Sequence, residues 1–287
     1  MSVETELVPT EFDESEILIS PSQGLFSLEL GDLWRYRELF YFLAWRDIKV
    51  RYKQTVLGAA WAVLQPLLSM ALLSLIFGYF LSLPSGGVPY PIFVFTGLLP
   101  WQLFAYALSQ SSESLVSDRN LNLITKVYFP RLVVPLSSVA AGLMDFAISF
   151  VILVGMLVLF RIPLSWRILT LPAFVLLALL CAMGVGLWFS ALNVQYRDVR
   201  YALPFLTQFW FFATPIAYSI EIVPEGWRWI YSLNPMTGVV EGFRWALLGT
   251  DYTVGPLVLI SSVIVLLVFL GGLVYFKWME DKFADVI

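Results

Sequence analysis

The chain is expected to fold as an all-α membrane protein: six transmembrane helices, an N-terminal amphipathic interface helix, and short helices at the outer interface between spans five and six. Three observations predict this. Of 287 residues 59% are hydrophobic and only 13% charged, whereas a soluble domain is nearer about one quarter charged and cannot hide this much apolar surface. The apolar residues gather into six runs, most of them near or above the roughly 20 residues that cross a hydrocarbon core. A basic stretch, Arg46, Lys49, Arg51 and Lys53, abuts the first run, which begins near Val56 and contains no acid. Lys and Arg stay on the cytoplasmic side, so that junction also gives a direction of insertion.

Residues 1–33 contain eight acids and no base. A secretory signal needs a basic start and an apolar core, so this segment reads as an acidic cytoplasmic arm. Residues 34–55 read as the interface helix. At 3.6 residues per turn, Arg35, Arg46, Lys49 and Lys53 share one side. Tyr41, Trp45, Ile48 and Tyr52 share the other, which suits a helix lying on the inner leaflet. Arg37 and Arg51 depart from the pattern. The cations fit either general anchoring to anionic lipid or recognition of a specific headgroup.

The six spans are placed at about 56–83, 92–117, 132–160, 168–192, 201–218 and 254–276, within a transmembrane domain of 56–276, with a cytoplasmic tail at 277–287. Of the 17 cations, 13 then fall on the side of the interface helix and four (Arg161, Arg167, Arg228 and Arg244) on the other. Both termini are therefore expected in the cytoplasm. The uncharged PSGGVPYP loop at 84–91 suits a tight external turn. In the longest cytoplasmic connection, Asn120–Val127 has the pattern of a short helix, with Asp118 as N-cap and Pro130 as stop. It is either a socket for a soluble partner or an ordinary interfacial loop. Residues 219–251 are too polar to span and too aromatic for a free loop. They read as short helices at or re-entering the outer interface, with 236–248 helical.

Chemistry is sparse. There is no histidine, which removes the usual metal ligand and neutral-pH proton shuttle. The single cysteine, Cys181, lies in an apolar run. No Gly-Lys pair occurs, so no Walker A loop exists, and there is no G-x-S-x-G. Two acids lie in or near spans, Asp145 in the third and Glu113 in the second. Asp145 fits an interhelical hydrogen bond that fixes packing, or a proton relay. Phe205, Phe209 and Phe212 form an i, i+4, i+7 stripe, which fits ordinary helix packing or a wall along which sugar rings slide. Gln65, beneath Trp61, is expected to face a lumen or a neighbouring helix, because an unpaired amide in hydrocarbon is costly. Pro204 and Pro215 can break the fifth span.

Four stretches, taken together, carry a family resemblance: RDIKVRYKQTVLGAAWAVLQPL (46–67), GLLPWQLFAYALSQSSESLVSDRNLNLITKVYFPRLVVPLSS (97–138), SALNVQYRDVRYALPFLTQFWFFATPIAYS (190–219) and LNPMTGVVEGFRWALLG (233–249). The chain resembles the permease subunit of polysaccharide-exporting ABC transporters of the O-antigen and teichoic-acid type. The resemblance implies a homodimer in a bacterial inner membrane, with two copies of an ATPase subunit on the cytoplasmic side. ATP and magnesium would bind to that partner, and this chain would hold no cofactor and catalyse nothing. The implied cargo is a lipid-diphosphate-linked polysaccharide; membrane lipids are expected contacts and nucleic acid is not. Arg46, Lys49, Arg51 and Lys53 would attract the headgroup. Trp61, Gln65, Phe205, Phe209 and Phe212 would line a channel. Residues 118–129, with Asp118, Arg119, Asn120 and Lys126, would be a coupling helix, and 221–249 the external gate helices. The alternatives are a permease of the same fold for another lipid or a drug, and a proton-coupled transporter built on Asp145 and Glu113. The absence of inverted repeats speaks against the second.

Overall fold

A computed structural model describes residues 34–53, 58–117, 119–120, 123, 126–127, 129–196, 198–249 and 255–286. The acidic arm at 1–33 and Asp118 lie outside the described residues. Among the described residues every regular element is helical. In chain order these are α1 (Arg37–Lys53), α2 (Gly58–Leu73, continued as a π-helix over Ser74–Phe80), α3 (Tyr90–Glu113), α4 (Val133–Ser138), α5 (Ala140–Leu159), α6 (Leu171–Gln195, entered through a 3-10 turn at Trp166–Thr170), α7 (Val199–Ala213), α8 (Glu225–Ser232), α9 (Pro235–Leu248) and α10 (Pro256–Val286).

Among the described residues five segments are long and apolar enough to cross a membrane: Ala60–Phe80, Tyr90–Glu113, Val133–Leu159, Trp166–Gln195 and Pro256–Glu280. The predicted fifth span is shorter than expected. α7 has 15 residues and stops at Ala213, so it rises only about 22 Å against the roughly 30 Å of a hydrocarbon core. The cause is local. Thr214 precedes Pro215, and the ring of a following proline excludes the helical region; Thr214 is extended, with ψ 136°. The last helix differs in the other direction. It runs through the expected tail to Val286, because Phe276, Met279 and Phe283 continue its buried stripe. Gly86 and Gly87, both at positive φ, make the tight turn between α2 and α3 that the PSGGVPYP loop predicts.

α3 is the central helix. Its membrane-length window is 78% buried, while that of α2 is 11% buried. It packs on α6, α5, α9 and α2, and α10 packs along α6. α9 does not lie on the surface. Met236, Val239, Val240, Phe243 and Leu247 are all buried against the bundle. Its start is capped by Asn234, whose Oδ1 accepts from the Met236 amide, with Pro235 in the first turn, and Gly249 closes it in the left-handed region at φ 67°. α1 packs on α4 and α5, and its buried residues, Leu43 and Ala44, belong to neither of its two expected faces. Tyr41 and Trp45 of its aromatic face are exposed.

Candidate functional site

A groove of about 990 Å³ opens along α2, α3 and α5, with the end of α7 at its edge. Its wall is mostly aromatic and aliphatic, with two amides, Gln65 and Gln102, among them. Trp61 and Gln65 come from α2, Trp101, Gln102 and Tyr106 from α3, Phe146 and Ser149 from α5, and Phe211 and Phe212 from α7. Pro66, inside α2, and Pro100, inside α3, each remove one backbone donor from a helix that borders this space.

At one end of the groove three helices meet in a polar cluster. Arg51 Nη2 of α1 lies 2.5 Å from Asp145 Oδ2 of α5. The hydroxyl of Tyr52 donates to Asp145 Oδ1. The guanidinium lies over the Tyr106 ring of α3, with Cζ 4.6 Å from its centroid. Gly142 makes this contact possible, since a Cβ there would come within 2.4 Å of the Tyr106 ring. Burial, and then the bond to Asp145, holds the Tyr52 phenol far above its usual range, so it remains a donor at physiological pH. Asp145 does bridge helices, as one sequence reading expects. It also has a cationic partner, Arg51, which the sequence does not bring near it.

The other predicted headgroup cations separate. Arg46 donates through Nε (3.0 Å) and Nη2 (2.9 Å) to Asp47 Oδ1, and through Nη2 to Asn120 Oδ1 at 2.7 Å. Asn120 in turn donates to the Ser114 carbonyl at 2.9 Å. Arg46 thereby ties α1 to the predicted coupling segment. Lys49 lies 5.4 Å from the centroid of the Trp45 ring, and Lys53 is exposed. Arg119, Asn120, Leu123 and Lys126 are helical, and Arg119 and Lys126 face outward.

Of the predicted channel residues, the groove gathers Trp61, Gln65 and Phe212. Phe205 and Phe209 point away from it and are 70% and 68% exposed. The inner side of α7 is Leu203, Pro204, Thr207 and Phe211, which closes a second cavity of about 370 Å³ against Trp101 and Ala105.

At the far end of the bundle lies an ion pair that sequence reasoning passes over. Arg244 of α9 is 1% exposed and donates through Nη1 to Glu241 Oε1 at 2.8 Å. It also donates to the carbonyls of Pro215 (2.7 Å), Ile216 (2.7 Å) and Tyr218 (3.3 Å), the irregular chain after α7. The Phe93 ring centroid lies 3.8 Å from its Cζ. The signal available was the i, i+3 Glu–Arg pair inside an otherwise apolar helical pattern.

Membrane-length helices around a groove with one charged end describe a multi-pass membrane protein with room for a ligand. The model of the ABC-2 type transporter family matches residues 38–248, and the chain belongs to this family. It is similar to an O-antigen export system permease protein RfbA of Klebsiella pneumoniae, 30% identical over 255 residues, covering 87% of this chain and 95% of that protein. It is also similar to the RfbA of Myxococcus xanthus, 31% identical over 217 residues, covering 74% and 81%. With the polysialic acid transport protein KpsM of Escherichia coli it shares 24% identity over 251 residues, covering 82% and 91%.

Proposed function

We propose that the chain is the membrane subunit of an ATP-driven exporter that moves a lipid-diphosphate-linked, O-antigen-like polysaccharide across a bacterial inner membrane. The observation that carries this reading is the groove: seven aromatic side chains among aliphatic ones, two amides, and Arg51 at one end. Aromatic faces hold sugar rings without fixing them, which suits a polymer that must slide, and a guanidinium suits a phosphate. The names of the relatives from Klebsiella and Myxococcus point to the same cargo class.

In this reading two copies of the chain face each other, and the outward stripe of Phe205 and Phe209 lines the channel between them. Six spans are reached when α7 and the chain beyond it count as the fifth crossing. The re-entrant helices α8 and α9 form the external gate, and both termini lie in the cytoplasm. Two ATPase subunits, carrying ATP and magnesium, dock on the segment that holds Arg119, Asn120 and Lys126. Closure of the ATPases moves this segment, and the Arg46–Asn120 hydrogen bond passes the motion to α1. Arg46, Lys49, Arg51 and Lys53 together draw the diphosphate headgroup toward the groove.

Replacing these four cations by glutamine is expected to lower export by about tenfold or more at an unchanged level of membrane protein. Glycan at the cell surface of a complemented deletion strain measures it. Full export would remove the headgroup role. Lys126→Glu is expected to weaken the hold of the ATPase subunit; co-purification equal to wild type would remove the docking assignment.

A further inference from the structure

We infer that Asp145 stands in for a bound anion: at rest its carboxylate occupies Arg51, and a phosphate of the arriving lipid takes its place. This deepens the reading above and rests on its phosphate-bearing cargo. A partly solvated ion pair contributes little to holding one helix on another, so fastening α1 to α5 is a weak account of this one. Here the pair opens on the groove, and its two side chains remain 38% and 20% exposed. An exchange of partners therefore requires no opening of the core.

The neighbouring groups are arranged for exchange. Tyr106 supports the guanidinium from below, so Arg51 keeps its position when its partner leaves. Tyr52 holds the other carboxylate oxygen, so the displaced Asp145 keeps a neutral donor and is not left bare. A phosphate brings more charge than a carboxylate and three acceptor oxygens, and the planar fork of arginine can hold two of them. Because the empty site is self-neutralised, weakly charged anions gain little by entering it. Asp145 would thus set a threshold of charge density and act as a specificity-determining residue.

The test uses the full chain in phosphatidylcholine nanodiscs, titrated with farnesyl diphosphate, farnesol and inorganic pyrophosphate. Trp61 and Trp101 line the groove, so tryptophan fluorescence reports occupancy. Wild type is expected to bind farnesyl diphosphate and not farnesol, and Arg51→Gln to lose that binding. Asp145→Asn is expected to bind about tenfold tighter, because the competitor is neutral. Tyr52→Phe is expected to bind about threefold more weakly, because Asp145 then relies on Arg51 alone. Opposite signs for these two variants separate exchange from a structural latch, which would weaken both alike and lower both thermal midpoints. Should Asp145→Asn fold poorly, the thermal midpoint of Tyr52→Phe decides: weaker binding at a wild-type midpoint supports the exchange, and a lowered midpoint overturns it. Farnesyl diphosphate binding that neither variant alters would overturn the exchange and leave the cargo reading standing. Binding of pyrophosphate but not farnesyl diphosphate, tightened in Asp145→Asn, would support the exchange and overturn the lipid-diphosphate cargo. Binding of neither by any form would overturn both.

Discussion

Arg244→Ala is expected to be the most damaging single substitution in the described chain, with loss of most folded protein from detergent extracts. The side chain is 1% exposed and answers four acceptors at once: Glu241 and the carbonyls of Pro215, Ile216 and Tyr218. Alanine would leave Glu241 buried without its counter-ion, which alone costs about 3–5 kcal/mol in comparable sites. Each carbonyl stripped of its donor adds about 1–3 kcal/mol unless water reaches it. The sum rivals the whole stability of an ordinary domain, roughly 5–15 kcal/mol. Those carbonyls exist as free acceptors because Pro215 ends α7, so the arginine completes a break that the proline makes. Gly97 on α3 leaves it room, as a Cβ there would come within 3.1 Å of Nη2. Arg244→Lys is expected to recover only part of the loss, since one ammonium cannot present a planar fork to the carboxylate and three carbonyls. Glu241→Gln is expected to be milder than Arg244→Ala: it leaves the guanidinium without its counter-ion, but the amide oxygen still accepts from Nη1 and the three carbonyls keep their donors. Monodisperse yield by size exclusion and the thermal midpoint measure this. A wild-type midpoint for Arg244→Ala would refute the role.

What the sequence makes legible here follows from the range of the interaction that decides each feature. The five membrane-length helices are local facts: a run of apolar residues needs no partner to declare itself. The turn at Gly86–Gly87 and the cap at Asn234–Pro235 are equally local. The end of α7 was half legible. Pro215 was visible as a breaker, but only the structure shows Thr214 extended and the chain turning into α8 and α9. Pairings across the bundle were not legible. Arg51 and Asp145 are 94 residues apart, and a helical projection of α1 treats Arg51 as an exception to its cationic face. It is that exception, turned toward α5, which meets the acid. Likewise the stripe of Phe205, Phe209 and Phe212 is real on a helical wheel, yet a wheel cannot say which side faces the bundle. Gly184, Gly271 and Gly272 look alike as letters; only the distance between two backbones distinguishes them.

That distance makes the second large prediction. Where α6 crosses α10 the two backbones touch. A Cβ on Gly272 would lie 2.2 Å from the Gly184 carbonyl oxygen, and one on Gly184 would lie 2.7 Å from the Phe269 Cα. Neither obstacle is a side chain that can rotate away, so the helices themselves must separate. In a membrane no hydrophobic drive pulls them back, because lipid is as apolar as the interface; close van der Waals contact between small residues is what holds them. Gly184→Val or Gly272→Val is therefore expected to cost more than the about 1–3 kcal/mol typical of an overfilled core. The damage should spread, since α6 also packs on α3, which lines the groove. Gly271→Ala meets only the Trp188 ring edge, at 3.2 Å, and should be nearly tolerated. Gly155→Val, where nothing lies within 4 Å of the new Cβ, should leave the thermal midpoint unchanged and serves as the control for helix propensity. The order expected for the midpoints is Gly155→Val, then Gly271→Ala, then the two valine variants well below. A Gly272→Val protein as stable as Gly155→Val would refute a backbone contact between α6 and α10.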